Sequence, residues 1–370
     1  MDRYEFETNR DPLGHQTTSI FPYWISITEN QMPYLYPTCL SSGIVFSLLT
    51  MIALAQHVYL TSKPYLFIQS IIDTIFLIIG VILTLPKYYH FIPTFYSGKI
   101  YINALHYACW FIVIWIFIIA CLDHTVTCIQ SNGYNEKLFC SPFKSRNIII
   151  LIIIMGTISA IPQIFAWEPT NENTFRPTNL KTSFLYEQIY FWYIQIIVLF
   201  IPLFSIFVFI GALLYTFCKK REHYLLNDHD QHQHNHISHY TINYGNNEQD
   251  SIQRLNNRER QNLSKLFLFS CFLHLLLVMP YSFVIFFGKL FSREQESKHN
   301  TTTTTTTTTG SLGREILIAY DTSLLLVYIN ILMRFFVYII FSGKFRLCLR
   351  KIFTCRSCCC SSDKKNLDDV

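Results

Sequence analysis

IYINALHYACWFIVIWIFIIACL, residues 100–122, contains no Asp, Glu, Lys or Arg. At 1.5 Å per residue, a helix of this length reaches about 35 Å and can cross a bilayer core of about 30 Å. Four other stretches are equally free of charge: 31–62, 147–167, 188–218 and 266–288. Two more windows, 64–86 and 316–343, are as apolar but carry isolated charges, Asp73 in the first and Asp321 and Arg334 in the second. The pattern predicts an all-α, polytopic membrane protein. Its seven spans fall near 38–60, 64–86, 100–123, 147–167, 188–218, 265–289 and 316–342.

Composition agrees with that reading. Of 370 residues, 51% are hydrophobic and only 14% charged, against about 25% charged in soluble domains. A soluble enzyme is thereby disfavoured. Lys and Arg concentrate on one side of the predicted spans, for example Lys219, Lys220 and Arg221 before the sixth and Arg346, Arg350 and Lys351 after the seventh. By the positive-inside rule, the N-terminal segment 1–35 is expected outside the cell, the membrane domain covers 36–345, and the tail 346–370 is cytoplasmic. No cleavable signal peptide is expected, since the first 30 residues lack an apolar core and carry acids. The net charge of +5 is explained by residues flanking the membrane, so nucleic acid is not an expected partner.

Two polar insertions interrupt the spans. The inner one, 222–253, holds His229, His232, His234, His236 and His239 among Asp, Gln and Asn. It reads as a disordered loop rather than a metal site, because such tracts lack fixed geometry. The outer one, 290–314, holds the run Thr301 to Thr309 and the acceptor pattern Asn300-Thr301-Thr302, which predicts glycosylation at Asn300. Beyond the last span, Cys355, Cys358, Cys359 and Cys360 lie among basic residues. Palmitoylation fits this better than a zinc site, since no second Cys or His cluster completes a ligand set.

Several short motifs lie in order along the spans. Asp73 closes Ser70-Ile71-Ile72-Asp73 in the second, and Leu122-Asp123-His124 ends the third. Pro202 lies in the fifth, and Val278-Met279-Pro280-Tyr281 in the sixth. The seventh carries Asn330 and Arg334-Phe335-Phe336-Val337-Tyr338, followed by Phe345-Arg346. In these positions the chain resembles the rhodopsin-like G-protein-coupled receptors, nearest to invertebrate neuropeptide-type members. It departs from them where His124 replaces the motif Arg, Val278 the toggle Trp and Arg334-Phe335 the Asn-Pro pair. No Cys pair matches the family's outer disulfide, and Lys99 lies about where its first Cys would be.

The resemblance implies a plasma-membrane receptor with a short amphipathic eighth helix, an extracellular ligand and a heterotrimeric G protein as partners. It implies no cofactor. It places His106, Trp110, Tyr281, Ile285, Tyr320, Leu324 and Tyr328 toward a ligand cavity; by spacing alone, such an aromatic stripe reads more often as core packing. Asp123 and His124, with Arg258 and Arg260, become the expected coupling residues. Pro162, Pro202 and Pro280 are candidate hinges, each removing a helix hydrogen bond.

Depth bookkeeping adds one expectation. Asp73 lies about 13 Å and Arg334 about 12 Å from the cytoplasmic ends of their spans at 1.5 Å per residue, so the two can meet at one level; the resemblance implies that they face each other across the bundle, as a buried pair near Asn330 and Tyr338. The family usually holds sodium near this carboxylate, and Val113 stands about where a polar ligand to the ion is expected. The competing reading is that Arg334 snorkels to the headgroups. A transporter using Asp73 and Arg334 is the alternative function, although no inverted repeat relates the halves. An enzyme is not expected, since the spans lack His-Glu-x-x-His or paired catalytic groups.

Overall fold

The computed structural model describes residues 20–56, 63–88, 96–129, 142–169, 175–234, 247–299 and 309–353. Four long helices come first: α1 (Ile20–Gln56), α2 (Lys63–Tyr88), α3 (Tyr96–Ile129) and α4 (Pro142–Phe165). A hairpin of β1 (Trp167–Pro169) and β2 (Phe175–Pro177) follows, then a short α5 (Asn179–Thr182). The fifth span is composite: π-helical turns at Leu185–Tyr190, α6 (Phe191–Ile194), π-helical turns at Gln195–Phe200, and α7 (Ile201–His234). The chain ends in α8 (Asn247–His299), α9 (Thr309–Phe341) and α10 (Gly343–Phe353).

Seven of these helical segments are long and apolar enough to cross a membrane, and they pack as one bundle. In order of contact, α1 meets α2 and α9, α2 meets α3, α9 meets α8, and α7 closes the ring between α8 and α3. The α3 span is central, with 67% of its window buried, whereas only 28% of the α4 window is buried. The rest of α4 exposes Ile150, Leu151, Ile154 and Ile158, and α7 exposes Phe204 and Phe207. An apolar outer surface of this extent suits hydrocarbon and not water. The chain is a multi-pass membrane protein.

Without a hydrophobic force between helices in lipid, close packing and polar links hold such a bundle. Gly156 lets α4 approach α3, since a Cβ there would lie 2.6 Å from Ile112. Hydroxyls join α1 to α2: Ser47 Oγ donates to the Ser70 carbonyl at 2.9 Å and Thr74 Oγ1 donates to Ser47 Oγ at 2.9 Å.

Two features differ from the sequence expectation. The helices outrun the spans: α7 continues to His234 and α8 begins at Asn247, so the predicted inner loop 222–253 is helical on both flanks. The outer loop 290–314 is likewise helical to His299 and from Thr309, and the N-terminal segment 1–35 is helical from Ile20. A helix already nucleated in a span propagates cheaply through good formers such as Lys, Arg, Glu and Leu. The second difference is the hairpin, in which Glu168 faces Arg176. Thr178 fastens its end, donating its Oγ1 to the Phe165 carbonyl at 2.7 Å and its backbone N–H to that of Ala166 at 3.1 Å. Residues 343–353 form α10 at the place of the expected short eighth helix, which buries Phe345 and Leu349 while leaving Leu347 and Phe353 exposed.

Candidate functional site

A cavity of about 580 Å³ opens at the hairpin end of the bundle. Wall residues come from α3 (Ile100, Asn103, Tyr107, Trp110), the composite fifth span and α8 (Tyr281, Ser282, Ile285), with Tyr320 from α9. Its size falls in the range of small-molecule sites. Trp110 packs edge-on against Tyr281 with centroids 5.4 Å apart, and the Tyr281 and Tyr320 hydroxyls lie 3.2 Å from each other.

Of the seven residues expected to face a ligand, His106, Trp110, Tyr281, Ile285 and Tyr320 line this cavity. Leu324 and Tyr328 do not. Tyr328 is wedged in the core, its hydroxyl 3.2 Å from His106 Nε2 and its ring against Phe76 and Tyr36. Gly80 makes the room: a Cβ there would lie 2.7 Å from the Tyr328 hydroxyl. Spacing on one helix face put Tyr320 and Tyr328 together, but only depth in the bundle separates wall from core.

Sequence reasoning missed the fifth-span wall. Tyr186, Tyr190, Ile194 and Val198 all line the cavity at intervals of four. On an ordinary α-helix twelve residues advance the face by about 120° beyond whole turns, which would turn Val198 away. The wider π-helical turns at Leu185–Tyr190 and Gln195–Phe200 absorb that drift, and such insertions recur at functional sites. Tyr186 donates to Gln163 Oε1 at 3.4 Å, while Tyr190 donates to the Ser159 carbonyl at 2.7 Å and ties the fifth span to α4. Tyr107, on α3, has a buried hydroxyl without a protein partner.

Charge at the cavity comes from Lys99, on α3, and Lys181, on α5. The Lys181 ammonium lies 3.0 Å from the centroid of the Trp167 ring, a cation–π contact that fixes it beside the hairpin. Among the described residues, no Asp or Glu lines the cavity. Asp321 follows Tyr320 in the chain and stands off the wall.

Deeper in the bundle, Arg334 Nη1 donates to Asp73 Oδ2 at 2.7 Å. Both side chains are nearly inaccessible, at 10% and 5% exposure, which excludes snorkelling. The Arg334 guanidinium also lies 5.6 Å from the Phe117 ring. A polar space of about 10 Å³, bounded by Ser47, Thr50, Gln69, Ser70 and Tyr338, adjoins the pair. Asp73 Oδ1 and Gln69 Nε2 have no protein partner there. Asn330 is buried on the same helix as Arg334, and Val113 is buried on α3.

The expected coupling residues do not face outward. Asp123 and His124 are 5% and 2% exposed, and His124 Nε2 lies 2.9 Å from Ser264 Oγ on α8. His124 is one rung of an antiparallel ladder between α3 and α8: Phe117 stacks on His274, Cys121 Sγ lies 3.7 Å from Cys271 Sγ, His124 stacks on Phe267, and Cys128 meets Ser264. Steps of four, three and four on α3 match three, four and three on α8, the alternation of interlocking helices. An imidazole is short and apolar enough to enter this seam where a guanidinium would demand a counter-charge. Arg258 and Arg260 belong to α8, with side chains outside the described set; Asn300, Cys355, Cys358, Cys359 and Cys360 lie outside the described residues.

No family model matches the chain, and no curated protein matches it.

Proposed function

We propose that this protein is a plasma-membrane receptor, N-terminus outside, that binds an extracellular ligand at the hairpin end and signals to a heterotrimeric G protein. The observation that carries this reading is a ligand-sized cavity whose wall continues into the seam that joins α3 and α8. Trp110 and Tyr281 line the cavity, and further along the same two helices His124 meets Ser264. A ligand that spreads or draws together the cavity ends of α3 and α8 therefore acts on the packing at their other ends. Such a receptor needs two packings and no bond-making chemistry. Pro280, inside α8, supplies a weak point in the helix hydrogen bonding. The order of motifs, from Asp73 through Asn330 to Phe345-Arg346, supports the same reading.

The buried Asp73–Arg334 pair favours a receptor over a transporter. A proton or ion carrier needs a charge that exchanges its partner with solvent, whereas this pair is enclosed and its adjoining space is at the lower limit for one water. Expression in cells that lack the endogenous pathway, with a second-messenger readout against a ligand panel, tests the proposal. Evoked signalling is expected. Isotope uptake without signalling would overturn it.

A further inference from the structure

We infer that the cavity at the hairpin end takes an uncharged molecule carrying a primary carboxamide, which pairs edge to edge with the side chain of Gln195. This rests on the reading of that cavity as the ligand site. Gln195 lines the cavity and is 3% exposed, yet its side chain has no hydrogen-bond partner among the described residues. Gln69 also has an unmet amide nitrogen, but it is sealed in the core beside Asp73, whereas Gln195 borders about 580 Å³ of space. Local structure puts it there. Gln195 opens the second set of π-helical turns, Gln195–Phe200, and the wider turn brings it onto the wall together with Phe191, Ile194 and Val198.

An amide held away from bulk water with nothing to bond is costly. Water in the cavity can meet it, but a ligand that displaces this water must reproduce its hydrogen bonds or lose affinity. A glutamine side chain offers an acceptor oxygen and an N–H donor along one edge. A primary carboxamide answers both at once, because its own N–H and C=O also share an edge, and the match holds whichever way the Gln195 amide is turned. A carboxylate would accept from the nitrogen and repel the oxygen. An ammonium would do the reverse, and no Asp or Glu among the described residues lines the cavity to compensate its charge. The apolar body of the ligand then meets Phe191, Trp110 and Tyr281.

The test uses the full-length protein in lipid nanodiscs, with binding read by thermal unfolding and by tryptophan fluorescence. Hydrocinnamide, N,N-dimethylhydrocinnamide, methyl hydrocinnamate, hydrocinnamate and phenylpropylamine share one ring and differ in head group. Hydrocinnamide should raise the unfolding temperature at millimolar concentration. The dimethylamide and the ester, which lack the donor, should bind at least about tenfold more weakly, and the acid and amine more weakly than hydrocinnamide as well. Gln195→Leu should weaken hydrocinnamide about tenfold, to the level of the ester, and leave the ester unchanged. Gln195→Glu should reverse the preference, admitting phenylpropylamine and rejecting hydrocinnamide, a swap that a merely structural role for Gln195 would not produce.

Unfolding of each variant without ligand separates lost affinity from a lost fold; if neither variant folds, the ratio of amide to ester affinity on the native protein decides. The ester or dimethylamide bound as tightly as hydrocinnamide, the acid bound more tightly, the amide-to-ester ratio unchanged in Gln195→Leu, or no amide bound at millimolar concentration overturns the proposal. Amide binding without G-protein signalling would keep this inference and remove the receptor reading instead. Signalling evoked by a ligand without an amide, and unmoved by Gln195→Leu, would do the reverse.

Discussion

Two polar regions sit in the same apolar bundle, and they treat charge in opposite ways. Around Asp73 and Arg334 the opposite charges meet at 2.7 Å beside a space of about 10 Å³. Around Lys99 and Lys181 like charges face about 580 Å³, with no described carboxylate opposite. Charge inside a membrane protein is costly unless compensated. Where the compensation is built in, as at Asp73 and Arg334, the charge serves the fold; beside the cavity, Lys181 lies over the face of Trp167.

The largest effect should come from breaking the compensated region. Asp73→Asn or Arg334→Asn alone leaves one buried charge without its partner and should destabilise by about 3 to 5 kcal/mol. Surface expression and unfolding in detergent would report the loss. The double variant Asp73→Asn with Arg334→Asn should recover much of it, because the penalty comes from the orphaned charge and not from absence of the pair. A double variant no better than the worse single one would put Asp73 and Arg334 in separate roles.

A smaller effect tests the boundary between core and cavity. Gly80→Val places side-chain atoms where Tyr328 now lies, and overpacking of this kind costs about 1 to 3 kcal/mol. Because Tyr328 is bonded to His106 on the cavity wall, the shift should reach the cavity and weaken ligand-evoked signalling. An unfolding change with signalling unaltered would show that core and cavity are mechanically separate.

The α3–α8 seam comes next. Ser264→Ala removes the oxygen beside His124 Nε2, leaves Cys128 Sγ 3.4 Å from it, and should cost about 1 kcal/mol. If the seam restrains signalling, the same variant should raise basal second-messenger levels. His124→Arg should raise them further, since a guanidinium cannot stay in the seam uncompensated. Unchanged basal signalling in well-expressed variants would leave the seam a packing feature.

The smallest change is expected at the surface. Arg346 Nη1 donates to the Ile339 and Ile340 carbonyls at 2.7 and 2.8 Å, closing the end of α9 as cationic side chains commonly do. Arg346→Ala should cost under about 1 kcal/mol, since the group is exposed and water can replace it. Its measure is amide exchange over residues 338–342, with ligand affinity unmoved.

The spans were legible because a helix crosses a membrane by a local property, the length of an uncharged run set against a fixed thickness. The Asp73–Arg334 pair was legible for a related reason. Depth along a span counts residues, and two opposite charges at one depth have strong cause to meet. The short α10 was expected only through the resemblance carried by Phe345-Arg346. Tertiary structure decided the rest. The fifth-span wall depends on π-helical turns that change the number of residues per turn, so a pattern read at 3.6 points to the wrong face. Tyr328 left the cavity because Gly80 on another helix made space for it. His124 turned inward because Ser264, 140 residues away in the chain, stands opposite it in the seam. Each of these depends on what a neighbouring helix presents, and no single run of sequence contains that neighbour.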